Sequence, residues 1–253
     1  MPTVMTFLWP RRLRVRPNPE TMGLVEHLTE LRTRVLVSAA AFVAASAAAF
    51  VLYPFILSVL RHPYCEVAPS HCAFYITGPL DGLALRVKIA AYGGLFLSSP
   101  VLLWELWRFI TPGLHPKEKR YAIPFIIVSI SLFALGCVLA FVTFPHALGW
   151  LGSIGGPSLR QIYDPISYIS LIVLLMVAFG VAFQFPVLLV SLEASGVLSA
   201  TRLASWRRWA IISIVTVAGV VTPSSDPISM LALAVPLYLF YEVSIVIGRL
   251  IQR

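Results

Sequence analysis

The chain has 253 residues, of which 58% are hydrophobic and only 12% charged, and its formal net charge is +8. Its mean hydropathy is +0.87, whereas a soluble domain of this length would carry about a quarter charged residues. The apolar residues fall in long runs and do not alternate as in half-buried strands. Composition therefore excludes an ordinary soluble domain and indicates a polytopic α-helical membrane protein.

The first 34 residues form a basic lead before the first long apolar run. Near its end, acidic and basic residues recur at helical spacing from Glu20 to Arg34, which predicts an amphipathic helix on the membrane surface. The pair Arg11-Arg12 is not followed closely by the apolar segment and cleavage site of a secretory signal, so we expect no cleaved leader. The chain thus divides into a cytoplasmic lead at 1–34 and a transmembrane domain at 35–253.

The apolar runs predict six transmembrane helices, the last two short. The first four runs reach the roughly 20 residues that a hydrocarbon core requires. The fifth, from Trp209 to Val221, would span only about 20 Å at 1.5 Å per residue, and the sixth is interrupted by Pro236. In chain order the predicted spans are residues 35–60, 87–110, 122–144, 166–192, 209–221 and 228–247.

Charge asymmetry orients these spans. Of the 19 Lys and Arg residues, all but four fall on the side that holds both termini. The positive-inside rule then predicts that both termini are cytoplasmic. Topology and anionic lipid explain the basic surplus, which leaves no argument for a nucleic-acid partner. The basic residues predicted on the outer side are Arg61, Arg86, Lys88 and Arg160.

The segment that leaves the second span organises the rest of the chain. Trp104 and Trp107 are predicted to lie at headgroup level, and Pro112-Gly113 forms a structural turn that ends the helix just beyond them. The following loop surrounds Glu118 with cations, so this carboxylate is either neutralised or held ready for a cationic partner. The surrounding cations are Lys117, Lys119 and Arg120.

Four segments, in the same order and over nearly the whole chain, carry a family resemblance: His27–Arg34, Phe109–Arg120, Phe179–Pro186 and Thr222–Pro227. They resemble the TatC family, the multispanning receptor component of the twin-arginine protein translocase. The resemblance implies a glove-like, concave all-α bundle of six helices in the bacterial cytoplasmic (inner) membrane, with no cofactor and no enzymatic activity. It also implies export of folded proteins using the proton-motive force. The implied partners are twin-arginine signal peptides, the single-span TatA and TatB subunits, and further copies of the chain.

The resemblance matches Glu118 and Glu30 to the carboxylates that bind the signal peptide. A guanidinium binds a carboxylate through two parallel hydrogen bonds, and two adjacent arginines need two acceptors. From the residues alone, Glu118 pairs equally well with its neighbouring cations, and Glu30 with Arg34 one helical turn on. The basic residues predicted at the same site are Arg32, Lys117, Lys119 and Arg120.

Two polar side chains fall inside predicted spans. Gln184 stands where the family commonly has glutamate. A neutral amide keeps the hydrogen bonds but cannot titrate, which argues against a proton relay at this position. Gln184 either faces the concave cavity or is satisfied by a neighbouring helix. Glu242, in the last span, is predicted to face the cavity or a partner helix.

The turns and cysteines suggest structural roles. Asp226, with Pro223 in the turn between the last two spans, is predicted to cap the final helix, since Asp is a strong N-cap residue. Cys65 and Cys72 lie in the first outer loop, where a disulfide is favoured because that side of a bacterial membrane is commonly oxidising. A metal site with the neighbouring His62 and His71, or two free thiols, are the alternatives left open there. Cys137 is predicted to be an apolar filler.

A small-molecule secondary transporter is the competing prediction. Short, proline-interrupted helices often mark a substrate site at the midplane of such proteins. However, the spans show no internal repeat, and their polar residues cluster at the predicted cytoplasmic edge. The sequence therefore favours a receptor, which would purify with single-span partners and a signal peptide.

Overall fold

The computed structural model describes residues 24–67, 72–76, 78–110, 122–154, 156, 163–222 and 226–251. Within these ranges the regular secondary structure is entirely helical. Helices satisfy their backbone hydrogen bonds internally, as hydrocarbon requires. In chain order the helices are α1 Leu24–Val51, α2 Tyr53–Val67, α3 Asp81–Ile110, α4 Ala122–Ile154, α5 Pro165–Ala182, α6 Phe185–Ala194, α7 Ala200–Ser205, α8 Arg207–Val221 and α9 Pro227–Ile251.

Five helical segments in this described part of the chain are long and apolar enough to cross a membrane. They hold between 24 and 32 residues each, more than the roughly 20 that a hydrocarbon core requires. Helices α5 and α6 together form one of the five, and α1, α3, α4 and α9 supply the others. The chain is therefore a multi-pass α-helical membrane protein.

The last two predicted spans differ in length. Helix α8 has 15 residues, which make about 22 Å of helix, less than a core of about 30 Å. The prediction of a short fifth span is confirmed. Helix α9 has 25 residues and is longer than predicted, because Pro236 lies inside the helix and does not end it. Membrane helices tolerate such prolines when neighbouring groups satisfy the freed carbonyl.

The first predicted span breaks before residue 60. Helix α1 ends at Val51 and α2 begins at Tyr53. Pro54 has no N–H to donate to the carbonyl of Phe50, four residues earlier, so the helical ladder is interrupted there. A guanidinium N–H of Arg86 in α3 points to that carbonyl over a long 3.5 Å. The predicted span over 35–60 is therefore made of two helices that meet at this break.

The fourth predicted span also breaks. Helix α5 ends at Ala182 and α6 begins at Phe185. Pro186 cannot donate to the carbonyl of Ala182, so one hydrogen bond of a continuous helix is missing. The break leaves Gln184 between the two helices, where its side chain can reach α4.

The predicted boundary between the lead and the membrane domain is not a break in the helix. Helix α1 runs without interruption from Leu24 to Val51, so the residues just before position 35 and the first span are one rigid element. Residues 1–23, which include Arg11 and Arg12, lie outside the described part of the chain.

Helices α1 and α3 pack closely against each other. Ala49 and Ala90 are buried at their contact, with 0% and 6% of their surfaces exposed. A Cβ atom at Gly94 would lie only 2.0 Å from the Ser46 hydroxyl oxygen, so the two backbones approach this closely only because position 94 is glycine. This seam fixes the start of α1 beside the end of α3.

Helix α2 packs at the opposite end of the bundle. Its Tyr64 ring stacks on Phe74 at 5.4 Å and meets Tyr168 edge-on at 5.7 Å, measured between ring centroids. The Tyr168 hydroxyl donates to a backbone carbonyl of α2 over 2.9 Å. These rings hold α2 against α5.

The three cysteines occupy two environments. Cys65, at the end of α2, forms a disulfide with Cys72, and their Cα atoms lie 4.9 Å apart. The bond ties α2 to segment 72–76. Cys137 is a free thiol buried in α4, where it packs as an apolar side chain would.

Candidate functional site

A cluster of three charged side chains lies where the start of α1 meets the end of α3. Arg34 donates from Nη1 to Glu105 Oε2 over 2.9 Å and from Nε to Glu30 Oε1 over 3.1 Å. A further ion pair joins Arg34 Nη2 to Glu30. We refer to Glu30, Arg34 and Glu105 as the α1–α3 charge cluster.

The α1–α3 charge cluster holds two carboxylates for one guanidinium, so its formal charge is negative. The side chains are only 13% exposed for Arg34 and Glu105 and 23% for Glu30. Among the described residues, no group hydrogen-bonds to Glu30 Oε2. A partly buried carboxylate with an unused acceptor favours an additional cation, because desolvating a charge without a partner costs free energy.

The sequence prediction identified only part of this cluster. Glu30 was predicted as a binding carboxylate, and its pairing with Arg34, kept as the alternative, is present in the structure. Glu105 was not singled out. It is the one charged residue in the stretch 89–107 of α3, which is a recognisable signal of a functional position. Its partner lies 71 residues away in the sequence, so local spacing could not reveal the contact.

The other predicted binding residues lie mostly outside the described ranges. This is true of Lys117, Glu118, Lys119 and Arg120, and also of the turn residues Pro112 and Gly113. Their segment, 111–121, joins α3 to α4 and follows Glu105 by only a few residues. Arg32, on α1, is exposed.

A second polar group lies where α4 meets the break between α5 and α6. Gln184 donates from Nε2 to the backbone carbonyl of Ser129 over 3.0 Å, and its Oε1 accepts from the Ser129 hydroxyl. That hydroxyl also accepts from the Trp107 indole N–H over 2.8 Å. We call these three side chains the Gln184 network. Gln184 is thus hydrogen-bonded to a neighbouring helix, and the network carries no formal charge.

The two tryptophans at the end of α3 have different environments. Trp107 is only 4% exposed, so its ring packs inside the bundle; its predicted depth at headgroup level stays a prediction. An indole ring can be buried when its N–H finds an acceptor, and Ser129 provides one. Trp104 is 41% exposed and remains on the surface.

Glu242 is paired within the protein. Its Oε2 accepts from Arg207 Nη2 over 2.7 Å, and its Oε1 accepts from the Tyr238 hydroxyl over 3.1 Å. Arg207 is the first residue of α8. The contact therefore joins α8 to α9.

Asp226 lies at the start of α9 and is fully buried. Its Oδ1 accepts the backbone N–H of Ser229 over 2.7 Å, the geometry of a helix N-cap. Pro227 follows as the first helical residue, where its lack of an N–H costs nothing. Pro223 lies outside the described ranges.

Glu193 is a buried acid that the sequence analysis missed. It lies near the end of α6 with 1% of its surface exposed. A Cβ at Gly248 of α9 would come within 2.3 Å of Glu193 Oε1, so the glycine makes room for the carboxylate. Its position as an isolated acid in an apolar run was the available signal.

Comparisons with known proteins agree with one another. The family model described as Sec-independent protein translocase protein (TatC) matches residues 26–236. The chain is 41% identical over 243 residues to the TatC protein of Frankia casuarinae, covering 92% of this chain and 67% of that protein. It is 37% identical over 235 residues to the TatC protein of Aquifex aeolicus, covering 92% and 97%.

Solved structures give the same result. A crystal structure described as the twin-arginine translocase receptor TatC matches with a TM-score of 0.73 and 36% identity, covering 90% of this chain and 100% of that one. A second, described as the same receptor in DDM, has a TM-score of 0.74 and 35% identity, covering 88% and 99%. The range matched by the family model, residues 26–236, contains both the α1–α3 charge cluster and the Gln184 network. The chain belongs to the TatC family of Sec-independent protein translocase proteins.

Proposed function

We propose that this protein is the signal-peptide receptor and core subunit of a twin-arginine translocase. It is a transport protein and not an enzyme, and it exports folded proteins across the bacterial cytoplasmic membrane using the proton-motive force. The observation that carries the proposal is the α1–α3 charge cluster, in which two carboxylates share one guanidinium at the end of a membrane bundle. Family membership favours this function over a small-molecule transporter.

The chemistry of the cluster suits a peptide with paired arginines. Arg34 already binds these carboxylates as an arginine of a signal peptide would, since it donates to both Glu30 and Glu105. An arriving arginine exchanges with Arg34 on Glu30, whose unused Oε2 is buried, and the second arginine binds Glu118. A lysine carries one compact charge and cannot bridge carboxylates with a planar fork.

The proposed orientation has both termini in the cytoplasm, with the α1–α3 charge cluster at the cytoplasmic boundary. The distribution of Lys and Arg supports it. A signal peptide that precedes a folded domain would then meet the cluster before any part of the cargo crosses the membrane. The proposed partners are TatA, TatB and further copies of this chain in the receptor complex.

The Gln184 network has a structural and docking role in this proposal. Glutamine cannot take up or release a proton near neutral pH, so no proton relay passes through position 184. Its hydrogen bonds to Ser129 hold α4 against the break between α5 and α6. That surface is then presented in one conformation to a partner helix.

Export of a folded reporter tests the proposal. The gene replaces the host's own copy in a strain that supplies TatA and TatB, and the reporter carries either a twin-arginine or a twin-lysine signal. We expect export of the first only. Copurification of single-span subunits should accompany it. Equal export of both reporters, or none with a folded and membrane-inserted protein, would contradict the receptor function.

A further inference from the structure

A groove on the membrane-facing surface lies between α1 and α3. It has a volume of about 470 Å³ and is lined almost entirely by apolar side chains. Ala47, Phe50 and Val87 on its walls are exposed, so the groove opens outward from the bundle. It is distinct from the α1–α3 charge cluster, which lies at the other end of the same two helices.

The groove has the dimensions of a lipid chain. Its walls on α1 extend from Phe42 to Phe50, which is about 12 Å along a helix axis. One leaflet of a bilayer contributes roughly 15 Å to the hydrocarbon core. A single acyl chain can therefore lie in the groove along most of its own length.

The positively charged side chain of Arg86 lies at one end of the groove. The Arg86 guanidinium carbon lies 4.4 Å from the centroid of the Phe50 ring and 5.4 Å from that of Tyr53. In the described part of the chain, no carboxylate forms an ion pair with Arg86. Within the described ranges, one of its five N–H donors is used, in the long bond to the Phe50 carbonyl. The edge of the guanidinium is therefore available to an anion.

The neighbouring cation provides a contrast. The pKa of the Asp164 carboxyl is lowered chiefly by its hydrogen bond to the Ser167 N–H and, to a smaller extent, by the charge of Lys88, which lies on the same helix as Arg86. Lys88 thus has an acid of the protein within electrostatic range and does not line the groove. Among the described residues, Arg86 has the apolar groove beside it and no acid paired with it.

We propose that the groove between α1 and α3 binds an anionic phospholipid, with one acyl chain against Phe42 and Ala91 and the phosphate on Arg86. A planar guanidinium binds a phosphate through two hydrogen bonds. The aromatic rings beneath it hold the guanidinium in place by cation–π attraction. In the orientation given under Proposed function, on which only this leaflet assignment rests, the lipid belongs to the outer leaflet.

A lipid bound in the groove would also stabilise the packing of α1 against α3. The seam between α1 and α3 is tight where Gly94 meets Ser46. The groove opens beside this contact, with Ser46 in its wall. A bound chain would fill this gap, and the phosphate would hold Arg86 near the break between α1 and α2. Anionic lipid is therefore expected to raise the thermal stability of the wild-type protein.

Native mass spectrometry of the purified full-length protein tests the proposal, with phosphatidylglycerol and phosphatidylcholine as the two probes. We expect the wild-type protein to retain phosphatidylglycerol in severalfold excess. Arg86→Gln should lose that excess, and Lys88→Gln, which removes the same charge from the same helix, should keep it. Ala91→Phe fills the groove and should reduce retention of both lipids. Arg86→Lys, which preserves the charge, should retain a partial excess if Arg86→Gln does not fold.

Three outcomes would overturn the proposal. The first is equal retention of the two lipids by the wild-type protein. The second is an equal loss in Arg86→Gln and Lys88→Gln, which would indicate diffuse surface attraction. The third is crosslinking of a photoreactive residue at Ala47 to a polypeptide in native membranes, which would make the groove a protein interface. Lipid binding is measured without export, so failure here and failure of the receptor function are distinguishable.

Discussion

The α1–α3 charge cluster and the Gln184 network are both polar contacts between helices of one membrane bundle, yet their chemistry differs. The cluster joins Arg34 to two carboxylates with 13% to 23% of each side chain exposed. The network joins three neutral side chains around Ser129, which is fully buried. The charged side chains are thus the more exposed ones, and the neutral hydrogen bonds centre on a buried hydroxyl.

This difference follows from the cost of desolvation. A charged group inside hydrocarbon costs several kcal/mol, whereas a satisfied amide or hydroxyl costs much less. The charge cluster can exchange its guanidinium for another because water reaches it. The Gln184 network has no charge to exchange, so it can only fix the helices. We therefore assign recognition to the first region and rigidity to the second.

The largest expected effect is on recognition. Glu30→Gln removes one of the charged acceptors for an arginine, and a hydrogen bond to a charged group contributes about 1.5 to 3 kcal/mol. We expect the affinity for a twin-arginine signal peptide to fall roughly tenfold to a hundredfold. Fluorescence anisotropy with the protein in nanodiscs measures it, and Glu118→Gln should behave similarly.

Thermal stability provides the control for that variant. The Glu30→Gln protein should unfold close to the wild-type temperature, because glutamine still accepts a hydrogen bond from Arg34. A large loss of stability with unchanged peptide affinity would reverse the assignment. The α1–α3 charge cluster would then be a structural ion pair.

The opposite pattern is expected in the Gln184 network. Ser129→Ala removes the hydroxyl that hydrogen-bonds to Trp107 and Gln184, and loss of a buried hydrogen bond of this kind costs about 1 to 3 kcal/mol. The midpoint of thermal unfolding in detergent should fall, while peptide affinity stays unchanged. Gln184→Leu should also destabilise the protein. If Gln184→Leu leaves both stability and export intact, the network does not fix the helices.

The two carboxylates of the charge cluster, Glu105 and Glu30, should affect peptide affinity to different extents. Glu105 contacts Arg34 and not Glu30, so we expect it to act by balancing Arg34. In Glu105→Gln, Arg34 pairs more strongly with Glu30, and peptide affinity should fall only a few-fold. The decrease should persist at high salt, because charges as buried as these are screened much less than exposed ones. A loss as large as that in Glu30→Gln would instead place Glu105 in direct contact with the peptide.

The smallest expected effect is on stability, at the end of the bundle away from the α1–α3 charge cluster, where Asp164 caps α5. Its carboxylate accepts the backbone N–H of Ser167 over 2.8 Å, and this bond holds the pKa of the carboxyl below its usual value of 3.8. The stabilisation is therefore complete above about pH 4 and is lost as the pH falls further. Asp164→Ala should cost about 0.5 to 1 kcal/mol at neutral pH.

A matched variant separates the charge of this cap from its hydrogen bond. Asp164→Asn keeps an acceptor for the Ser167 N–H and should remain near wild-type stability at neutral pH, with a weaker decline in acid. Thermal unfolding at several pH values measures both variants. An identical acid response in wild type and Asp164→Asn would exclude the carboxyl as its source.

The sequence predicted where the long apolar helices lie because hydrocarbon imposes a simple length rule, although five of the described segments, and not six, are long enough to cross a membrane. The breaks near Pro54 and Pro186 were harder to predict, since a membrane helix can also continue through proline, as α9 does at Pro236. Whether a proline ends a helix depends on which neighbour satisfies the freed carbonyl. That information is tertiary.

The candidate sites were predictable only where the signal was local. Glu30 stands in a recognisable motif, and Arg34 follows it by one turn. Glu105 meets Arg34 across 71 residues, and no spacing rule reaches that far. The burial of the Trp107 ring could not be predicted either, because it depends on the Ser129 hydroxyl that accepts the indole N–H from another helix.

Photocrosslinking tests the central claim most directly. A signal peptide with a photoreactive residue beside its paired arginines is compared with its twin-lysine form, on membranes that contain wild-type protein or the Glu30→Gln and Glu118→Gln double variant. We predict strong crosslinking to segments 24–34 and 111–121 for the arginine peptide and wild type alone. Equal crosslinking of the double variant would contradict recognition by these carboxylates.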